Sequence, residues 1–480
     1  MTAKIARLLL PLTIAWLAAC SGDTTKPEDD TLTSDGTVDL DSDADGETPF
    51  DPWAAPAETD DWRVLFNYRP RPGQPGVNEL YIVDPDGENL RKLTDFAKLD
   101  VEGLSCEYGC FPSPDLQWIA VADGPPDANG GFSLKLGKFN SALEVQIFKG
   151  VTIPGVIDFK FAGTRMFYST TGTCSGPSCQ YDFYVVNLDQ NVNDRINFMT
   201  FPPTDIVGDS TYKGHFKVSS DGKNLVMLQT TIRSTAVYLW RDGTGVVKLD
   251  FICKYGTEGD CSGTGSEYSD LDPVAISPDN RYIVFFTFSD RWQRARIYDT
   301  QNPNDVRLAV LASVPNGLYV EHVCDAGALA DWQWQRVIGD PVFSPDGDEV
   351  MFLTKTTCTA DGTPPKKELT NIYRVKLDTL LSGKTLTADD VFNVTNNPPG
   401  DVTANHVTTG FALSPDGATM VFSATPAFDQ SGGRIGDGTS RQRGDRELMR
   451  LRVDGEGFAQ MTNDLKVTAE SPMMVPPAAQ

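Results

Sequence analysis

One short phrase, with Ser-Pro-Asp-Gly at its centre and an apolar run behind it, recurs through this chain at intervals of tens of residues. It reads Val342-Phe343-Ser344-Pro345-Asp346-Gly347 before Val350-Met351-Phe352-Leu353, and Ala412-Leu413-Ser414-Pro415-Asp416-Gly417 before Met420-Val421-Phe422. A third copy is Ala275-Ile276-Ser277-Pro278-Asp279-Asn280 before Tyr282-Ile283-Val284-Phe285. Looser copies are Phe216-Lys217-Val218-Ser219-Ser220-Asp221-Gly222, Phe111-Pro112-Ser113-Pro114-Asp115-Leu116 and Phe159-Lys160-Phe161-Ala162-Gly163-Thr164. Self-similarity at such a spacing marks a repeat architecture and constrains the fold before any local propensity does.

Pro-Asp-Gly between two apolar stretches is a turn, because Pro presets φ, Asp bonds its own backbone and Gly accepts positive φ. The residues behind it are β-branched and aromatic and suit a buried strand. A second hairpin follows, clearest in Leu80-Tyr81-Ile82-Val83-Asp84-Pro85-Asp86-Gly87 and its twin Leu448-Met449-Arg450-Leu451-Arg452-Val453-Asp454-Gly455. Each unit therefore reads as four short antiparallel strands, A to D, which is a propeller blade. Turn anchors at 116, 163, 222, 280, 347 and 417 mark six units. A seventh is split, with strands B to D near 63–94 and an A strand near 470–476. The sequence thus predicts an all-β, seven-bladed β-propeller over 62–480, closed by the C-terminal strand so that two sheet edges are hidden. Six blades plus an irregular segment is the alternative.

The Ser-Pro-Asp-Gly turns and their L-Y-x-x-D-x-D-G partners resemble the WD40-like (PD40) repeats of the TolB-type β-propeller family. The resemblance covers nearly everything after residue 61. It implies the fold and leaves function open, since such propellers serve as scaffolds, peptide binders and enzyme subdomains.

Residues 1–19 resemble a bacterial lipoprotein signal: Lys4 and Arg7, the apolar Leu8–Ala15, then Leu17-Ala18-Ala19-Cys20. The apolar run is too short to span a bilayer as a mature helix. The resemblance implies cleavage before Cys20 and acylation of that residue, and several acyl chains anchor stably. Ser21 in the next position implies the outer membrane by the family's sorting rule. Residues 20–61 then read as the lipidated Cys and a disordered acidic tether, with fourteen Asp or Glu against one Lys over 21–61. Within it Asp41, Asp43 and Asp45 have the opening spacing of a calcium loop, but Pro52 stands where the twelfth-position Glu belongs. A plain spacer is the better account, and no cofactor is expected.

Of the net charge of −25, the tether carries −13 and the propeller −14, offset by +2 in the signal. An acidic body argues against nucleic acid or anionic headgroups as partners, leaving lipid as the membrane attachment. Apart from Cys20 the eight cysteines are even in number, as in an oxidising compartment. Neighbouring pairs are Cys106 with Cys110, Cys174 with Cys179, and Cys253 with Cys261. Cys324 and Cys358 remain, and adjacent loops make them a fourth. B–C and D–A connections emerge on one face of a blade, so all eight cysteines are expected on the face opposite the Ser-Pro-Asp-Gly turns. The long loops 253–270, 313–340, 354–370 and 423–447 are expected there too, and long loops on a rigid scaffold carry binding residues.

That face holds the ligand-binding candidates Arg291, Trp292, Arg294, Trp332, Trp334, Arg441, Arg443 and Arg446, with Arg296, Lys366 and Lys367 nearby. Guanidinium forks suit carboxylates, which points to a peptide carboxylate or an acidic glycan. The histidines number three: His215, His322 and His406. Oligogalacturonate lyases, which are propellers, hold a divalent metal on channel histidines, so these residues are weak metal candidates and a polysaccharide lyase is an alternative function. Separate, structurally satisfied histidines are the better account of them. No G-x-S-x-G elbow, phosphate-binding glycine loop or H-E-x-x-H occurs. The sequence expectation is therefore a non-enzymatic, monomeric envelope propeller that binds a protein, peptide or glycan, with a TolB-like role in an envelope complex as a further alternative. An acidic tether in place of TolB's extra α/β domain counts against that role.

Overall fold

A computed structural model describes residues 62–475 apart from 71–78, 93–109, 128–129, 140–144, 176–177, 191–193, 202–210, 232–233, 254–273, 289–291, 314–321, 324–335, 340, 361–362, 396–406, 425–446 and 463–466. The chain divides into Met1–Pro49 and Phe50–Gln480, and the first unit lies wholly outside the described residues, as do the signal, Cys20 and Asp41, Asp43 and Asp45.

The described chain is nearly all β. Its helical elements are the short helix Leu377–Leu381 and a single 3-10 turn at Ala388–Asp390. Six sheets follow in chain order. The first places Val467–Val475 beside Arg63–Pro70, then Glu79–Val83 and Arg91–Lys92. The third runs Thr211–Val218, Asn224–Thr231, Ser234–Arg241, Gly245–Cys253. The fourth runs Val274–Ile276, Tyr282–Phe288, Trp292–Asp299, Asn302–Ser313, and the sixth Val407–Leu413, Thr419–Ala424, Glu447–Arg452, Ala459–Gln460.

Two sheets depart from the four-strand antiparallel expectation. The second has seven strands because one 18-residue strand, Val145–Ala162, pairs with Phe132–Phe139 along its first part and with Arg165–Ser175 along its second. What reads in sequence as two units is thus one continuous sheet, from Cys110–Pro112 at one edge to Arg195–Phe201 at the other. The fifth is built on the hairpin Glu349–Ala360 and Thr363–Lys376, with Val391–Asn393 outside. Arg336–Val337 and Val342–Phe343 pair antiparallel with its first strand, whereas His322–Val323 pairs parallel to it.

All six sequence anchors adopt the left-handed region: Leu116 (φ 51°), Gly163 (55°), Gly222 (67°), Asn280 (62°), Gly347 (81°) and Gly417 (73°). In five of them the geometry repeats closely. The residue in that region donates its amide to the Ser carbonyl three back, as from Gly347 to Ser344 at 2.9 Å and from Leu116 to Ser113 at 2.9 Å. The Ser hydroxyl donates to the Asp two residues on at 2.5–2.6 Å in Ser113, Ser219, Ser277, Ser344 and Ser414. It also accepts the amide five residues on, which locks the first residue of the next strand. This is a type I turn closed by a left-handed residue, in a four-residue hairpin connection. Successive turns touch: Asn280 Nδ2 donates to Asp221 Oδ2 at 3.0 Å. A Cβ on Gly417 would stand 2.8 Å from Pro345 Cδ, so that position needs glycine for space as well as for φ.

The apolar run after each turn is buried on both sides. Val350 and Phe352 join a core shared with the fourth sheet, while Met351 and Leu353 join one shared with the sixth. Leu225 and Met227 likewise face the second sheet, and Val226 and Leu228 the fourth. Val421 and Leu448 pack with Val64, Phe66 and Met461, which joins the sixth sheet to the first. Mostly antiparallel sheets in chain order, with shared cores from the second sheet through to the sixth and between the sixth and the first, form a propeller-type fold.

Candidate functional site

Strand direction separates the two ends of each sheet. Glu349–Ala360 leaves its turn at Glu349, so Cys358 lies about 30 Å away at ~3.3 Å per residue. Arg165–Ser175 likewise carries Cys174 to the end remote from its turn, where Cys174 and Cys179 are register partners across the hairpin. Cys253 closes Gly245–Cys253 opposite Ser234. His322 and Val323 run beside Cys358 and Thr359, which brings the chain entering Cys324 next to Cys358. Cys110 begins Cys110–Pro112 opposite Val121, three positions ahead of Ser113, and is a fully buried, disulfide-bonded strand residue. Cys106, Cys261 and Cys324 lie outside the described residues.

The loop candidates change character. Residues 354–360 and 363–370 are strand rather than loop, with Cys358 opposite Lys367 and Thr359 opposite Lys366. Trp292 is the first residue of a strand, opposite Ser313, and Arg294 sits within that strand opposite Thr287. Arg296 is a buried latch. Its Nη1 is 3.0 Å from Asp250 Oδ2, to which the Tyr298 hydroxyl also donates at 2.8 Å. Burial, then the Asp250 charge, pushes the Tyr298 hydroxyl far above its ordinary range. Arg291, Trp332, Trp334, Arg441, Arg443, Arg446 and His406 lie outside the described residues. His215 opposes Leu228 in the third sheet and His322 belongs to the fifth, so the strands hold these two apart in different sheets. Among the described residues no group of three His, Cys, Asp or Glu could hold a metal ion.

The described residues do form a cavity, on the second sheet and beside Met473 of the first. Its volume is about 360 Å³, and its lining runs from Phe111 and Pro112 near their turn to Phe132 and Leu134 at the far end of the neighbouring strands. Phe111, 36% exposed, meets Phe159 edge to face at 5.1 Å, and Phe159 meets Phe161 in the same way at 5.9 Å. Phe132 and Met473 complete the apolar wall. Asp158 supplies its carboxylate, accepting from Lys160 Nζ at 2.8 Å. Side-chain exposures of 19% for Asp158 and 39% for Lys160 put the carboxylate deeper than the ammonium. Two register shifts shape the wall, one between Phe132 and Leu134 and one between Val156 and Asp158. Gly131 crosses Gly155 so closely that a Cβ would meet its backbone at 2.9 Å. Bulges of this kind re-aim side chains beside binding sites. In sequence Phe111 and Phe159 stand only as flanks of turns. The available signal was aromatic side chains alternating with polar ones just ahead of a turn, in Phe159-Lys160-Phe161.

No family model matches the chain, and no curated protein matches it. Solved structures similar to it include TolB from Acinetobacter baumannii, at 14% identity and a TM-score of 0.36, over 86% of this chain and 67% of that one. A 6-phosphogluconolactonase candidate from Bacteroides uniformis aligns at 12% identity and a TM-score of 0.47, over 87% and 100%. Oligopeptidase B from Trypanosoma brucei aligns at 13% identity and a TM-score of 0.46, over 86% of this chain but 48% of the peptidase. The expectation that the protein is not an enzyme is withdrawn on this finding, because chains named as enzymes stand beside TolB among the matches. At these identities and TM-scores the likeness assigns no activity, and the fold rests on this chain's own sheets.

Proposed function

We propose that the protein is a seven-bladed, ring-closed propeller of the PD40-repeat type, carried on the bacterial outer membrane by lipid on Cys20. It holds the end remote from its turns toward a carboxylate-bearing envelope partner. The observation that carries this reading is the hairpin Glu349–Lys376. Its far half sets Lys366 and Lys367 beside Cys358, with His322–Val323 laid along the other side. Two lysines at successive register positions of that hairpin, in a chain of net charge −25, would offer a local site for an acidic group. A Cys174–Cys179 disulfide fits the register of its hairpin, and the proposed Cys324–Cys358 pair would add a second staple at that end.

The test has two arms. Cells making the native chain or Cys20→Ser are labelled with a palmitate analogue and then shaved with protease. Label on the native protein alone supports the anchor, and equal labelling overturns it. The purified protein is then titrated with polygalacturonate and with a glutamate-rich peptide. Replacing Lys366, Lys367, Arg441, Arg443 and Arg446 with Ser should abolish salt-sensitive binding; unchanged capture removes the partner assignment.

A further inference from the structure

We propose that the cavity beside Phe111 and Phe159 is a second binding site, which takes a cationic group built on an aromatic ring. None of its lining residues belongs to the basic hairpin, and it is independent of the reading above. A volume of about 360 Å³ falls at the lower edge of small-ligand sites and matches a body of one or two fused rings. Phe111 and Phe159 cross at 85°, and Phe159 and Phe161 at 87°, so together they offer both a face and an edge to an inserted ring. An apolar chain gains nothing from that geometry beyond its burial.

The sign of the charge follows from Asp158. Its carboxylate is the deeper half of the ion pair, and Lys160 is the half with water to turn into. A ligand ammonium can replace Lys160 at Asp158 while the lysine swings outward, and the phenyl faces add cation–π attraction. A ligand carboxylate meets the opposite situation, because Asp158 repels it and the net charge of −25 lowers its local concentration. Phe111 is also a large apolar residue exposed on a strand that otherwise buries Cys110 and Pro112, as a site wall requires and a core does not.

Calorimetric titration of the full chain with tryptamine, 3-methylindole and indole-3-propionate tests this. One-site binding is expected, tightest for tryptamine and weakest for the propionate. Phe111→Ser should weaken tryptamine and 3-methylindole alike, by about tenfold. Asp158→Asn should weaken tryptamine about fivefold and leave 3-methylindole unchanged. Thermal unfolding of each variant checks the fold, and Phe111→Leu replaces Phe111→Ser if that variant fails to fold. An acetylated and amidated Lys-Trp-Lys peptide separates the sources. Tighter binding than tryptamine identifies a protein side chain as the natural occupant, and weaker binding a free amine. The proposal is overturned by the absence of saturable tryptamine binding, by equal affinity for the propionate, or by n-octylamine binding as tightly as tryptamine.

Discussion

Ser344 lies 7% exposed beneath its turn, and its hydroxyl faces two ways, toward Asp346 at 2.6 Å and from the Glu349 amide at 2.9 Å. The Ser344 hydroxyl, with the Asp348 amide, holds the Asp346 carboxyl below the ordinary range. Asp416 is lowered by Ser414 in the same way. A carboxylate whose folded pKa is depressed contributes stability above its unfolded value, near 3.9, and loses it as pH falls through the folded value. Ser344→Ala removes one acceptor and one donor at the turn and should cost about 1–2 kcal/mol at pH 7. Most of that loss belongs to the half-buried Glu349 amide, because Asp346 is exposed and its charge is screened. The gap between native and variant should therefore narrow, without vanishing, when urea unfolding is repeated at pH 3. A gap that widens in acid would show that the carboxylate is not held by its serine. Leu116 and Asn280 adopt the same left-handed conformation without being glycine, so the serine–aspartate bonds hold the turn where φ alone disfavours it.

At the scale of the strand, the apolar run behind each turn has no hydrophilic side because alternate residues enter two different cores. Phe352 is fully buried against the fourth sheet, meeting Phe286 at 5.2 Å, and Met351 is buried against the sixth. Phe352→Ala opens a cavity in one core only and should cost about 3–5 kcal/mol, read as a lower urea midpoint with the slope unchanged. A changed slope would mean that the two cores do not unfold together. This layer of the fold was legible in sequence, since turn chemistry and an uninterrupted apolar run name the second strand of each unit. Two other strands were not. Val145–Ala162 contains Pro154-Gly155, which reads as a turn, yet the chain passes through it with Gly155 at φ 66° and a register shift on each side. Thr356-Thr357-Cys358-Thr359 reads as loop because Pro364-Pro365-Lys366-Lys367 beyond it disfavours a strand, although Asp361-Gly362 is a two-residue hairpin signal. The cavity was illegible for a different reason. Phe111, Phe159 and Met473 are remote in sequence, and packing between strands, rather than any spacing, brings them together.

The whole molecule depends on a junction between its two ends. Val467–Val475 pairs with Arg63–Pro70 over seven residue pairs, from Arg63 with Val475 to Pro70 with Val467, with a register shift between Leu65 and Asn67. A second tie spans 365 residues, where Arg450 Nη1 donates to the Pro85 carbonyl at 2.7 Å. Val64 and Phe66, on the strand that receives the C-terminal one, share a core with Val421 and Leu448 of the sixth sheet. Removing residues 464–480 would expose the backbone edge of Arg63–Pro70 and take Met473 from the cavity wall. At roughly 0.5–1.5 kcal/mol for each lost ladder hydrogen bond, the cost reaches several kcal/mol. An unpaired edge is also a template for self-association. The truncated chain should thus unfold at a markedly lower temperature and sediment as oligomers. A synthetic peptide of residues 464–480 added in trans should restore both properties, since it resupplies the missing strand without changing the rest. Monomeric truncated protein with an unchanged unfolding midpoint would mean that the sheets hold together without that strand, and the proposed ring closure would fail with it.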